Sequence, residues 1–317
     1  MKRRLFSGIL AVILLAGPVA AAGPIQWVDF QVSYEAMDRA LALDIRSQEI
    51  DCPVSWIQLL ALAACRTGGK VTKAAVDTAW QDFSTGKSPE ELLGALYKFY
   101  DYYLEAYDAA LGGLVGNFAI LVEENGQQVW KASYGLKAFS PIAAGYGYGH
   151  CDDFGVGRSY GFARKHLGND LMGSLGTPIV AVEGGVVEAM GWNQYGGWRV
   201  GIRSNDRRRY YYYAHLQKDQ PFAPGLQEGD QVQAGQVIGF MGRTGYSTRE
   251  NVNNIETVHL HFGLQLIFDE SQKECNSEIW IDVYNIVRLL NRHRSSVVRG
   301  EDGSWQRIYA YRDLDTP

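Results

Sequence analysis

Two textures divide the chain. Between about residues 32 and 115 the apolar positions recur at helical spacing, with Tyr34, Met37, Leu41 and Ile45 on one face. A second apolar stretch, 54–65, stops at Gly68-Gly69, a helix exit. Ser88-Pro89-Glu90-Glu91 combines an N-cap serine, a proline at the first helical position and a glutamate placed to close a capping box. Leu92, Leu93, Leu96, Tyr100, Tyr103 and Tyr107 follow on one face, a stripe that reads as core and interface rather than a sugar-binding platform. After Gly116 the pattern shortens. Runs at 118–122, 179–182, 198–202, 210–214 and 237–240 are β-branched or aromatic and separated by glycines, as in a β-rich domain with many turns. A helical pattern returns at 280–292, with Ile281, Tyr284, Val287 and Leu290 in phase. The expected fold is α+β in two parts: a helical N-terminal domain (23–116), then a mainly antiparallel β domain with a C-terminal helix. Residues 117–140 form a linking β segment, and 296–317 a tail without a readable pattern.

The first 22 residues stand apart. Lys2, Arg3 and Arg4 precede an apolar run at 5–17, and Pro18-Val19-Ala20-Ala21-Ala22 supplies the small residues of a cleavage site, so 1–22 reads as a signal peptide. The run is shorter than the roughly 20 residues of a membrane span; an uncleaved membrane anchor is the alternative. The expected location is therefore the cell wall or the extracellular side, membrane-anchored if the signal stays on.

The chain of 317 residues carries a formal net charge of −5, and cleavage would remove three positive charges. That excludes a nucleic-acid partner, which needs a basic surface. Arg207-Arg208-Arg209 reads as an exposed hairpin turn. Four cysteines, Cys52, Cys65, Cys151 and Cys275, do not make a disulfide scaffold in so long a chain, and none stands in a CxxC. Cys52 with Cys65 is the most local of the possible pairings, and free buried thiols are the alternative.

Four of the six histidines stand in the β-rich part beside features that suggest metal chemistry. His166 and Asp170 stand in Lys165-His166-Leu167-Gly168-Asn169-Asp170, and His215 ends the tyrosine-rich strand in Tyr213-Ala214-His215-Leu216. His259 and His261 flank one leucine. On a strand they share a face, while Leu260 and Phe262 point to the other. Two imidazoles side by side are costly to bury without partners, so a metal or a solvent cleft is their natural use. Zinc accepts imidazole nitrogen and carboxylate oxygen, with three protein ligands and an open fourth position in catalytic sites.

The stretch from about residue 146 to 266 resembles the lysostaphin-type zinc peptidases, whose catalytic domain is the duplicated hybrid motif. The resemblance runs through His166-Leu167-Gly168-Asn169-Asp170, Gly176-Thr177-Pro178, Tyr195-Gly196-Gly197-Trp198, Tyr213-Ala214-His215-Leu216, Gly242-Arg243-Thr244-Gly245-Tyr246 and His259-Leu260-His261-Phe262 in order. It implies a zinc peptidase domain over 141–295, with His166, Asp170 and His261 as Zn2+ ligands. It also implies that His215 and His259 activate the attacking water and stabilise the tetrahedral intermediate. The implied function is an exported zinc metalloendopeptidase cutting peptidoglycan stem peptides or cross-bridges, with Tyr195, Trp198 and Tyr246 as candidates to line the cleft.

Two departures from the family pattern stand out. Residues 249–258 intervene between a turn at Ser247-Thr248 and the histidine strand, and Gly263 follows Phe262 where a glutamate is frequent. Gly157-Arg158-Ser159-Tyr160-Gly161 matches GxSxG, but lacks the strand and helix that a nucleophile elbow requires; Ser159 reads as a loop residue near the cleft. The rival functional reading is a zinc-binding envelope or sporulation scaffold or activator, with the helical half docking an envelope partner without turnover.

Overall fold

The computed structural model describes residues 23–50, 53–159, 163–273 and 277–315. The proposed signal peptide, Cys52 and Cys275 lie outside them. The fold is α+β, with mostly antiparallel sheets, and no helix among the described residues is long and apolar enough to cross a membrane.

The helical half forms where local signals agree. α1 (Tyr34–Ser47) starts at Ser33, whose hydroxyl accepts the Ala36 N–H, and buries Met37, Ala40, Leu41 and Leu43; Ile45, expected on that stripe, is 40% exposed. α2 (Trp56–Thr67) is held by a Ser55–Gln58 capping box and ends at Gly68 in the left-handed conformation. α3 (Lys73–Phe83) follows, capped by Thr72. The Ser88–Glu91 capping box opens α4 as read, but α4 covers only Pro89–Leu93. Gly94 turns the chain at φ 53, a 3-10 turn spans Gly94–Phe99, and α5 occupies Tyr100–Leu111. The stripe expected on one helix is therefore split over α4, the 3-10 turn and α5. Leu96 is 40% exposed, whereas Tyr100 and Tyr107 are buried against α2 and its neighbours.

A hairpin, Val115–Glu124 with Gln127–Leu136, leaves the helical half, and its third strand, Tyr311–Asp313, comes from the tail. The buried Lys137 ammonium sits 2.9 Å from Asp313 and 3.0 Å from Asp315, and the Tyr311 hydroxyl donates to the Lys137 carbonyl.

The β domain is built on an eight-stranded sheet. Its order is Gln231–Val232, Gly185–Asn193, Gly197–Ser204, Arg209–Ala214, His259–Leu266, Asn169–Met172 and Gly149–His150, and Ile279–Ile281 also pairs with His259–Leu266. Alternation fixes its faces. Val200, Ile202, Tyr211, Tyr213, Leu260, Phe262 and Leu264 enter the core, and the intervening positions form an open face. Residues 280 and 281, expected as the start of a helix, belong to that added strand, so α6 covers only Tyr284–Leu290.

The arginine run divides in two. Arg207 sits exposed at the hairpin turn, but Arg209 is fully buried. Its guanidinium meets Glu183 at 2.8 and 3.2 Å and Asp206 at 2.5 Å, and donates to the Asp108 and Ala109 carbonyls at the end of α5. The helical half is thereby tied to the sheet through a helix C-terminus, where a cation is favoured. Among the described residues Cys65 and Cys151 are free thiols, and burial pushes the Cys65 thiol up to about 11.

Candidate metal centre

Register brings the predicted ligands together. His261 pairs directly with Asp170 across adjacent strands, and the segment before that second strand carries His166 back over it. The donor atoms of His166, Asp170 and His261 all lie within 4.8 Å of one another. His166 Nε2 is 2.7 Å from His261 Nδ1 and 3.1 Å from Asp170 Oδ1, and His261 Nδ1 is 3.4 Å from that oxygen. Asp170 Oδ1 is buried and makes no hydrogen bond. Two imidazole nitrogens and an orphaned carboxylate oxygen crowded around one point are the donor set a divalent cation satisfies, and the N/N/O combination suits zinc.

The surroundings fix these ligands. His166 Nδ1 lies 3.0 Å from the Asp153 carbonyl, which assigns the proton to that nitrogen and leaves Nε2 as the donor. Arg158 Nη2 reaches Asp170 Oδ2 at 3.1 Å and Asp153 Oδ2 at 2.6 Å, and Asp153 Oδ1 accepts the Asp170 N–H. Burial alone would raise the Asp170 carboxyl, but the His166 and His261 imidazoles beside it hold it far below the usual range. Burial, and the neighbouring His166 and His259, lower His261.

His215 and His259 stand beside this triad. Their ring centroids are 4.8 Å apart, and His215 is 5.9 Å from His261. His215 Nδ1 faces the Thr244 carbonyl and His259 Nδ1 the Thr257 carbonyl, each at 2.9 Å, so both rings keep Nε2 free of the proton when neutral. Burial, then the charges of His259 and His261, lower His215 well below the ordinary imidazole value. His215 also adopts φ 63, a left-handed backbone that costs energy outside glycine. Its N–H donates to the Gly196 carbonyl at 2.7 Å. Gly197, at φ 65, admits Thr244 so closely that a Cβ would stand 2.4 Å from the Thr244 carbonyl carbon. The double glycine thus lets the His215 turn and its Thr244 anchor meet.

The aromatic candidates divide. Tyr246 lies 5.8 Å from His215 between ring centroids, and Tyr195 lines a groove that begins at His261. Trp198 packs instead between Trp192 and Phe222, and its indole N–H donates to Asn251. Its role is to hold the 249–258 insertion, which Asn254 also ties to the Tyr246 carbonyl. The glycine at 263 has a steric reason: a Cβ there would come within 2.9 Å of the Trp280 ring and 2.8 Å of the Leu167 carbonyl. Ser159 is exposed in a short hairpin, Gly157–Ser159 with Ala163–Lys165, not on a strand-to-helix turn. Sequence reasoning missed Asp153, Arg158 and Arg164, since single charged residues in a polar stretch give no periodic signal.

Residues 164–274 match peptidase family M23. The chain carries an M23 peptidase domain. An L-Ala–D-Glu endopeptidase of Bacillus subtilis is 36% identical over 152 residues, 48% of this chain and 44% of that protein. Lysostaphin of Staphylococcus staphylolyticus is 38% identical over 119 residues, 37% of this chain and 21% of that protein. The chain thus spans less than half the length of either relative. The solved structure of lytM from Ruminococcus gnavus shares the fold over 88% of this chain and 94% of its own, with a TM-score of 0.50 and 22% identity. The M23 match begins at Arg164 and includes all five clustered site residues, His166, Asp170, His215, His259 and His261.

Proposed function

We propose that this protein is an exported zinc-dependent endopeptidase that hydrolyses peptide bonds in peptidoglycan stem peptides or cross-bridges. The observation that carries the reading is the pairing of a His166–Asp170–His261 donor set with two further histidines whose unprotonated Nε2 atoms remain available. The names of two relatives, the L-Ala–D-Glu endopeptidase of Bacillus subtilis and a peptidoglycan DD-endopeptidase of Vibrio cholerae, agree with it. When bound, zinc supplies Lewis acidity toward a scissile carbonyl and an attacking water.

The rest of the work belongs to the chain. Arg158 and Asp153 hold the ligand cage before substrate arrives, so little reorganisation is needed. His215, kept neutral by burial, takes the water proton at Nε2 near neutral pH. His259 faces the same space, and the pair steadies the developing oxyanion and returns the proton to the leaving amine. Residues 1–22 would direct export to the wall or the extracellular side, and the helical half offers a surface to an envelope partner.

The test is mass spectrometry of purified peptidoglycan incubated with residues 23–317, zinc content measured, beside His215→Ala and His261→Ala. New peptide fragments from the parent protein are expected, with zinc kept but turnover lost in His215→Ala, and both lost in His261→Ala. Unchanged hydrolysis in His215→Ala would contradict its role. No cleavage by a zinc-loaded parent would favour a scaffold.

A further inference from the structure

The groove that begins at His261 crosses the open face of the sheet, has a volume of about 570 Å³ and is floored by Tyr210 and Tyr212. Four cations line it, Arg164, Lys165, Arg199 and Lys273, against the carboxylates Glu188 and Glu278. Lys273 pairs with Glu188, which also faces the buried Arg203, and Glu278 accepts the Trp280 indole N–H. Arg164, Lys165 and Arg199 have no carboxylate within ion-pair distance among the described residues, in a chain whose net charge is negative.

Two of these cations are held in place. The Arg164 guanidinium lies 5.2 Å from the ring centroids of both Tyr195 and Tyr246, donates to the Tyr246 hydroxyl at 2.8 Å, and keeps its Nε buried without a hydrogen bond. Arg199 is half-buried on the sheet, opposite Gly191 in register, on the face that carries Tyr212 and His261. Tyr212 lines the same groove as both guanidiniums, and its ring centroid is 5.8 Å from that of His261. Partly desolvated guanidiniums with no carboxylate partner among the described residues are stabilised by an incoming anion, and their planar forks fit a carboxylate.

We propose that Arg199 and Arg164 form a carboxylate-binding subsite beside the metal centre, which selects peptides bearing a free carboxylate next to the scissile amide over uncharged glycine bridges. This rests on the peptidase reading of the same cleft. In a stem peptide the carboxylate can come from the second residue, a γ-linked D-glutamate, or from the peptide's C-terminus. Both present the same chemistry to the groove.

The test separates binding from turnover. Zinc-loaded His215→Ala protein is titrated calorimetrically with the stem tetrapeptide L-Ala-γ-D-Glu-L-Lys-D-Ala. The comparisons are the same peptide amidated at the D-glutamate α-carboxyl, and the same peptide amidated at the C-terminus. One of the two amidations is expected to weaken binding about tenfold or more, the loss expected of a charge-assisted hydrogen-bonded pair, and the one that does so names the carboxylate. That preference should shrink in added salt, vanish in Arg199→Gln and return in part in Arg199→Lys. Equal binding of the three peptides, no binding of any at millimolar concentration, or a preference unchanged by Arg199→Gln would overturn the subsite. A preserved preference in a protein with the His215 side chain restored that cuts none of them would leave the subsite standing and remove the peptidase reading instead.

Discussion

Arg209→Met offers the sharpest probe of how the two halves are joined. The methionine keeps the apolar stem of the side chain but removes the charge that Glu183 and Asp206 surround and the donors that the Asp108 and Ala109 carbonyls receive. Glu183 stays in place at 9% exposure, retaining the Tyr211 hydroxyl 2.7 Å away as a donor but no cation. Breaking a buried pair from one side costs about 3–5 kcal/mol, because the partner's charge is left uncompensated. Leaving helix-end carbonyls unpaired pushes the cost toward the upper part of that range. The expected loss is therefore about 4 kcal/mol, read from urea midpoints followed by tryptophan fluorescence with a chelator present. The corresponding fall in Tm is on the order of 10 °C. The double variant Arg209→Met, Glu183→Leu should recover much of the loss, since an apolar pair carries no unmatched charge. A loss below about 1 kcal/mol in the single variant, on the scale of an exposed pair, would refute this account of the junction.

Two further outcomes follow from the site and its flank. Arg158→Gln removes the cation on Asp170 Oδ2 and Asp153, and should weaken zinc binding by roughly 10–100-fold in chelator competition; unchanged affinity would mean that the cage needs no outer support. Burial, with the Arg288 charge, lowers the His150 imidazole to about 4. An unfolded imidazole titrates near 6.5, so between these values the unfolded chain binds the extra proton and stability falls as pH drops. His150→Phe should flatten part of that slope in metal-free urea titrations at pH 7 and 5, and an identical slope in both proteins would exclude His150 as a contributor.

What could be read from the sequence was whatever a local period or a local cap enforces. His259 and His261 share a face because a strand alternates, and the Ser55 and Ser88 caps sit where serine precedes an apolar run. Asp170's place in the donor cluster was legible only through resemblance, since its position opposite His261 depends on a pairing between segments about ninety residues apart. Arg209 was misread because a charge run signals solvent unless its partners are known, and these are two carboxylates, Glu183 and Asp206, and the backbone carbonyls at the end of α5. The break at Gly94 and the strand Ile279–Ile281 were hidden for a related reason. A short apolar segment fits helix or strand equally, and tertiary pairing decides between them.

The third strand of the linking hairpin has a consequence for the order in which the protein assembles. Lys137 is synthesised long before Asp313 and Asp315, with the whole M23 domain between them. Until that later segment arrives, its ammonium has neither carboxylate, and the Val115–Glu124 edge lacks its outer neighbour. The connection between the halves is thus completed after the domain it supports, and the nascent chain carries an open strand edge until residues 311–313 close it.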